Sequence, residues 1–320
     1  MSGSNASLES HPLVREPGRR VAGTAPVLTD LAVPLLAHCT FPPPGTPLAC
    51  AVSGGPDSLA LLVLAVAAGC HATAYHVDHG LRPGSAGEAD LVADAALRLR
   101  ADFVALAVDC SPGSNLEARA RSARFAALPD DVATGHTADD QAETVLINLI
   151  RGAGADGLAG MRPGFRHPIL ALRRRDTERL VRSTGLAVVA DPSNSDPAYQ
   201  RNRIRHELLP LASGIARRDL VPLLARQSSL LADEVALLDE LAAALDVTDA
   251  RALSDAPAAL ARRAVRRWLA ALGSSGYPPG SAAVERVLQV ASGKVVACEV
   301  GHGWRVRRSN GRLIAETVPR

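Results

Sequence analysis

The sequence predicts an α/β fold, a parallel sheet wound by helices on both faces, followed by a mainly helical second domain. Three observations lead there. An apolar run, Leu48 to Val52, meets Ser53-Gly54-Gly55-Pro56-Asp57-Ser58, and a second apolar run, Leu59 to Ala68, leaves it. The first run has the length of a buried strand and the second that of a buried helix. Short apolar strands then alternate with helical stretches to about residue 151, the rhythm of a parallel sheet. From about Pro210 the rhythm changes, and Leu223, Leu224, Leu230, Leu231, Val235, Leu238 and Leu241 recur at helical spacing.

Three segments are expected: a disordered tail over 1–26, a nucleotide-binding catalytic domain over 27–212 and a helical domain over 213–320. The tail is rich in Ser, Gly, Pro and Arg and has no apolar core of a signal peptide. Residues 27–40 read as a short amphipathic helix interrupted at Pro34, which Pro42-Pro43-Pro44-Gly45 ends. Strand one runs into the glycine turn. Residues 72–77 read as strand two, and 86–100 as a helix with Ala89, Val92, Ala93, Ala96 and Leu99 on one face. Strand three spans 102–108, a helix 115–128, strand four 131–134 and a further helix 137–151. In the second domain, helices are expected over 256–272 and 281–291, separated by Gly273-Ser274-Ser275-Gly276. The tail from 294 to 317 alternates enough for a short hairpin.

Composition narrows the class. With 47% hydrophobic and 21% charged residues, the 320-residue chain has the balance of a soluble globular protein. No apolar run reaches the length of a membrane span, so no membrane partner is expected and the cytoplasm is the expected compartment. The net charge of +2 says little about nucleic acid; almost every cation is arginine, and Lys294 is the only lysine. Cys39, Cys50, Cys70, Cys110 and Cys298 form no CxxC pair, so they read as free thiols rather than a disulfide framework or zinc site.

The glycine turn is a phosphate seat. Glycines let the backbone approach a ligand, and the following helix offers unpaired N–H groups and a positive dipole end. Asp57 adds a carboxylate suited to Mg²⁺ beside phosphates. A Walker A loop is excluded, since no lysine follows the second glycine. A protein kinase is excluded by the lack of a strand lysine.

The second chemical stretch is Thr134-Gly135-His136-Thr137-Ala138-Asp139-Asp140-Gln141-Ala142-Glu143-Thr144, at the mouth of strand four. His136, Asp140 and Glu143 fall at i, i+4 and i+7 and share a face. Asp139 lies on the flank. First-turn carboxylates are also ordinary partners of the helix dipole, which accounts for one of them and not for the group. Such a face suits Mg²⁺ or a cationic amine, and a neutral His, or a carboxylate with raised pKa, can accept the proton an amine loses before it attacks.

SGGPDS resembles the PP-loop, SGGxDS, of ATP pyrophosphatases, implying a Rossmann-like domain of the PP-loop (adenine nucleotide alpha-hydrolase) type. The wider set is His76-Val77-Asp78-His79-Gly80-Leu81-Arg82, Asn115-Leu116-Glu117 with Arg121, Arg124 and Phe125, then TGHTADDQAET with Arg151-Gly152-Ala153-Gly154. Asp191-Pro192-Ser193-Asn194 and Arg201-Asn202-Arg203-Ile204-Arg205-His206-Glu207-Leu208-Leu209-Pro210 complete it. In order and spacing this is similar to the tRNA(Ile)-lysidine synthetase family over about 48–212. The resemblance implies a ligase that uses ATP to adenylate the C2 oxygen of the wobble cytidine in a CAU-anticodon isoleucine tRNA. The ε-amine of free lysine then displaces AMP. It implies ATP binding by Ser53, Gly54, Gly55, Pro56, Asp57 and Ser58, and Mg²⁺ on Asp57 and Asp140. Asp57, Arg121, His136, Asp140 and Glu143 are the implied catalytic set, with Asp140 and Glu143 serving metal or lysine and His136 and Arg121 supporting the transition state. With no suitable lysine, an arginine must meet charge developing on the α-phosphate.

Arg201, Arg203, Arg205 and His206, with Asn194 and Tyr199 upstream, suit a tRNA backbone and a splayed base. Arg173-Arg174-Arg175 and the arginines at 262, 263, 266 and 267 read as ordinary polar helix faces, which a tRNA path could also cross. His76 and His79 are open to an adenine-side or a structural role. Many family members carry a further C-terminal domain; this chain is expected to be a short form, and an oligomer is compatible with the sequence. The rival readings are a PP-loop tRNA thiolase, which needs cysteines at other spacings, and an amide ligase such as NAD synthetase, which leaves RNRIRHELLP without a role. A non-catalytic nucleotide- or RNA-binding protein would not need so many carboxylates beside a phosphate seat.

Overall fold

The computed structural model describes residues 30–78, 85–108, 123, 126–189, 196–272 and 280–318. The expected tail over 1–26 and most of the helix expected over 115–128 lie outside them. Two compact units divide between Ser229 and Leu230, inside the helix Val221–Ala243.

The first unit is built on four parallel strands in the order β3-β2-β1-β4: β1 (Pro47–Ala51), β2 (His71–Asp78), β3 (Asp102–Ala107) and β4 (Ala133–Thr134). Helix α1 (Ala32–Leu36) is shorter than expected, with Pro34 inside its first turn, where a missing N–H is tolerated. Helix α2 (Pro56–Ala67) buries eight residues in succession, Ser58 to Ala65, so it is apolar all round. It packs on the sheet, on α1 and on the later helix α6 (Arg174–Thr184). Leu48, Cys50 and Val52 form one core with Leu59 to Ala65, Val92, Ile169 and Leu180. Burial pushes the Cys50 thiol up to about 12, with the Cys70 thiol adding to the shift, as expected of an inert structural thiol.

Helix α3 (Ser85–Leu99) precedes β3, and α4 (Ala138–Ile150) follows β4. A single turn, α5 (Ala155–Leu158), and α6 come next. The segment after Tyr199 is one helical run in three parts: α7 (Gln200–Arg203), a π-turn (Ile204–Leu208) and α8 (Leu209–Ala216). Pro210 explains the interruption. It has no N–H for the carbonyl four residues back, and its ring crowds that carbonyl. The helix widens instead, and the Leu209 N–H reaches Ile204 O.

The second unit contains most of α9 (Val221–Ala243), then α10 (Ala250–Asp255), α11 (Ala258–Leu272) and α12 (Ser281–Ala291). Its tail departs from the expected hairpin. Three antiparallel strands form, β5 (Ala297–Gly301), β6 (Trp304–Ser309) and β7 (Arg312–Thr317). Both connections are two residues long, His302-Gly303 and Asn310-Gly311, with positive φ at each position. That is the backbone an Asn-Gly pair adopts in a tight hairpin.

Candidate active site

The site lies beyond the carboxyl ends of β1 and β4, where an open parallel sheet binds ligands. After β1 the chain turns through Gly54 at φ +83°, a region costly for other residues. A Cβ there would also stand 2.5 Å from Val189 Cγ2. Gly55 caps α2, and Pro56 begins it. Ser58 Oγ donates to Gly55 O at 2.9 Å and accepts from Ser53 N–H at 3.2 Å. The two serines therefore brace the turn as well as offering hydroxyls. Gly135 brings β4 against it: a Cβ would meet Asp57 O at 2.7 Å and Ser58 Cα at 2.9 Å. Only glycine permits that approach, so the glycine turn and the acidic stretch share one site.

Thr137 caps α4 with a capping box. Its N–H and Oγ1–H both donate to Asp140 Oδ2 at 2.9 Å. The other Asp140 oxygen accepts from Arg174 Nη2 at 2.9 Å. Asp140 therefore serves both the helix cap and the site. Burial opposes its charge, but Arg174, the Thr137 donors and nearby His136 together hold its carboxyl below the usual range.

Glu143 is fully buried. It accepts from Arg174 Nη1 at 3.1 Å and from Arg205 Nε and Nη2 at 2.7 and 3.1 Å. Arg201 Nε stands 3.2 Å from it, while Arg201 Nη2 donates to Thr144 Oγ1 at 2.8 Å. Asp57 accepts from the Thr177 hydroxyl, and from Arg174 Nε at 3.3 Å. Burial outweighs these donors and pushes Asp57 up to about 6. Asp139, on the flank, pairs with Arg173 at 3.0 and 3.1 Å and accepts the Arg174 N–H at 2.8 Å.

Asp57, Asp140 and Glu143 thus converge on one guanidinium, that of Arg174. Burial works against its charge, yet the carboxylates around it raise its pKa. Arg173 and Arg174 depart from the ordinary helix face that the sequence suggests; of the three arginines only Arg175, with its side chain 74% exposed, fits it. The available signal was charge balance, since gathered carboxylates need cations from elsewhere in the chain. Of the cationic segment, Arg201 and Arg205 turn inward to Glu143, while Arg203 and His206 are exposed, Arg203 with Glu207 at 3.0 Å. His76 Nδ1 lies 2.9 Å from Val52 O, and the residue is 3% exposed, a structural position. His79, Arg121 and Asn194 lie outside the described residues.

A cavity of about 210 Å³ opens beside the cluster. Glu143, Asp139, Arg174 and Arg205 form its charged wall, and Leu209, Pro210 and Val221 its apolar one. Both signs of charge beside a short apolar wall suit a zwitterion with an aliphatic stem. Among the described residues, no three His, Cys, Asp or Glu side chains are grouped to hold a metal by themselves. Asp57 and Asp140 still fit Mg²⁺, which is commonly held by one or two carboxylates together with substrate phosphates. In the second unit, Arg263 and Arg267 pair with Asp239 at 2.7 and 3.0 Å, and Arg262 with Glu285 at 2.6 Å.

Comparison with known proteins adds to this geometry. Residues 35–212 match the PP-loop domain family, and residues 249–314 match the TilS substrate binding domain. A tRNA(Ile)-lysidine synthase of Nocardia farcinica is 45% identical over 69% of this chain and 75% of its own length. One from Thermobifida fusca is 39% identical over 77% of this chain and 82% of its own length. Among solved structures, the U34-tRNA thiolase NcsA of Methanococcus maripaludis superposes with TM-score 0.52 at 15% identity, over 63% of this chain and 78% of that one. That likeness concerns the fold.

Proposed function

The chain belongs to the tRNA(Ile)-lysidine synthase family, and from that premise we propose that it joins free lysine to C2 of the wobble cytidine of a CAU-anticodon isoleucine tRNA. The protein is an ATP-using ligase of the PP-loop type. The observation that carries the lysine reading is the cavity walled by Glu143, Asp139, Arg174 and Arg205 on one side and Leu209, Pro210 and Val221 on the other. Lysine's α-carboxylate suits the guanidinium groups, its α-ammonium the carboxylates, and its stem the apolar wall. The ε-amine is then left to react.

ATP seats its phosphates on Ser53, Gly54, Gly55, Pro56, Asp57 and Ser58, at the N-terminus of α2. The cytidine C2 oxygen attacks the α-phosphorus and pyrophosphate leaves. The lysine ε-amine attacks C2, gives up a proton, and AMP leaves with the former C2 oxygen. Arg174, 3.3 Å from Asp57, is placed to meet negative charge at the α-phosphate; Arg121 joins it by family resemblance. His136 takes the amine proton. Asp57 and Asp140 would hold Mg²⁺, which when bound offsets charge on the phosphate oxygens.

Labelled lysine should enter the CAU tRNA with ATP and Mg²⁺ and without any glutamine or sulfur donor, and nucleoside analysis should recover it on cytidine. Label that stays out of tRNA, with sulfur entering instead, would transfer the assignment to a thiolase.

The 201–206 segment divides between two roles on this reading. Arg203 and His206 face outward and suit tRNA phosphates; Arg201 and Arg205 reach Glu143. Arg203→Ala should shallow the slope of log tRNA affinity against log salt by about 0.7–0.9 and leave ATP binding unchanged. Arg205→Ala should weaken lysine binding and leave that slope nearly unaltered. The reverse pattern in a salt titration would exchange the two assignments.

A further inference from the structure

Thr134 ends β4 with its hydroxyl oxygen among three polar neighbours. His136 Nδ1 lies 2.7 Å away, His167 Nδ1 2.8 Å and Arg166 O 3.1 Å. The two imidazole rings stand edge to face, with centroids 5.2 Å apart. A threonine hydroxyl has one hydrogen and two lone pairs. A carbonyl can only accept, so one allocation places a hydrogen in every contact. The hydroxyl donates to Arg166 O, and each histidine donates its Nδ1–H to Thr134 Oγ1. Both rings then carry their neutral lone pair on Nε2.

We propose that Thr134 and His167 are positioning residues for His136, fixing it as the Nδ1–H tautomer so that Nε2 is the nitrogen that accepts a proton. Thr134 supplies the acceptor for Nδ1–H, and that bond persists once His136 has gained its proton. His167 acts as a lock. Its Nδ1–H occupies the second lone pair of the hydroxyl and keeps the hydroxyl hydrogen on Arg166 O. Without His167 the hydroxyl can turn and donate to His136 Nδ1, which puts the proton on Nε2 and removes the base. Burial and neighbouring Arg166 both lower the pKa of His167, which suits a ring that stays neutral beside a protonated partner. A third-group hydrogen bond that selects the tautomer of a base recurs wherever histidine does proton transfer.

The consequence for catalysis rests on the reading that His136 takes the amine proton, and the test separates the two. Long-range ¹H–¹⁵N spectra of the full chain should show His136 as the Nδ1–H form. Thr134→Val and His167→Phe should shift it toward the Nε2–H form, and Thr134→Ser should restore it. Pyrophosphate release with tRNA and ATP should stay within a few-fold of wild type in these variants. Lysine transfer should fall roughly 10²-fold, the lower range for loss of a general base. His136 remaining Nδ1–H in His167→Phe would overturn the positioning role. Should Thr134→Val fail to fold, His167→Phe and Thr134→Ser carry the comparison. A normal tautomer shift with undiminished lysine transfer would keep the lock and remove His136 from the proton step, overturning the catalytic half of the proposal.

Discussion

Asp57→Asn is expected to stop AMP formation while leaving the protein folded. On the proposed reading Asp57 serves the phosphates and Mg²⁺, and removal of one such electrostatic group costs about 10²- to 10³-fold in turnover. Stability should move the other way. In the ligand-free protein the Asp57 carboxyl is raised from 3.8 to about 6, with burial the largest cause. The native state therefore holds this proton more tightly than the unfolded chain does. Stability from this group is fully present below about pH 4 and falls as pH rises through 6. The shift is worth about 3 kcal/mol at neutral pH. Asparagine can still accept from Thr177 without carrying charge. Urea unfolding across pH 4–8, with chelator and no nucleotide, should show the variant losing less stability than wild type over that window. A variant that loses stability equally with pH, or turns over normally, would remove Asp57 from this role.

Glu143→Gln should be the most damaging single change to the fold of the first unit. The carboxylate is fully buried and answers Arg174, Arg205 and Arg201. Neutralising it leaves guanidinium charge uncompensated, and breaking a buried ion pair costs about 3–5 kcal/mol. The cavity proposed for lysine loses one of its two wall carboxylates as well, so KM for lysine should rise together with the loss of stability. Arg174→Met combined with Glu143→Gln should cost less than the sum of the single changes, because each removes the other's unpaired charge. A denaturation series on the four proteins measures the coupling. Strict additivity would mean that Arg174 and Glu143 do not depend on one another in solution.

What could be read from the chain followed the range of each interaction. The glycine turn and the His136, Asp140, Glu143 face are encoded within a few residues, by φ freedom and by helical period. The glycine turn stands where the sequence puts it, and Asp140 and Glu143 lie on the helix Ala138–Ile150, but His136 precedes the N-cap Thr137 and so is held by β4 and its turn rather than by helical period. Asn310-Gly311 is equally local and signals the second hairpin of the tail, where alternation alone predicts a single one. The cations were beyond such reading. Arg174 meets Glu143 across 31 residues and Asp57 across 117, and Arg205 meets Glu143 across 62. An arginine run looks the same on a solvated helix as in a buried cluster, and its partner is chosen only when the packed sheet and helices bring the carboxylates to it. The side to which Arg205 turns was decided in the same way. Pro210 widens the preceding turn, and that change of pitch accompanies inward Arg201 and Arg205 and outward Arg203. Sequence by itself determined the glycine turn at the head of α2 and the carboxylates of α4. Tertiary structure decided which cations answer them, because opposite charges buried far from water find each other through space and not along the chain.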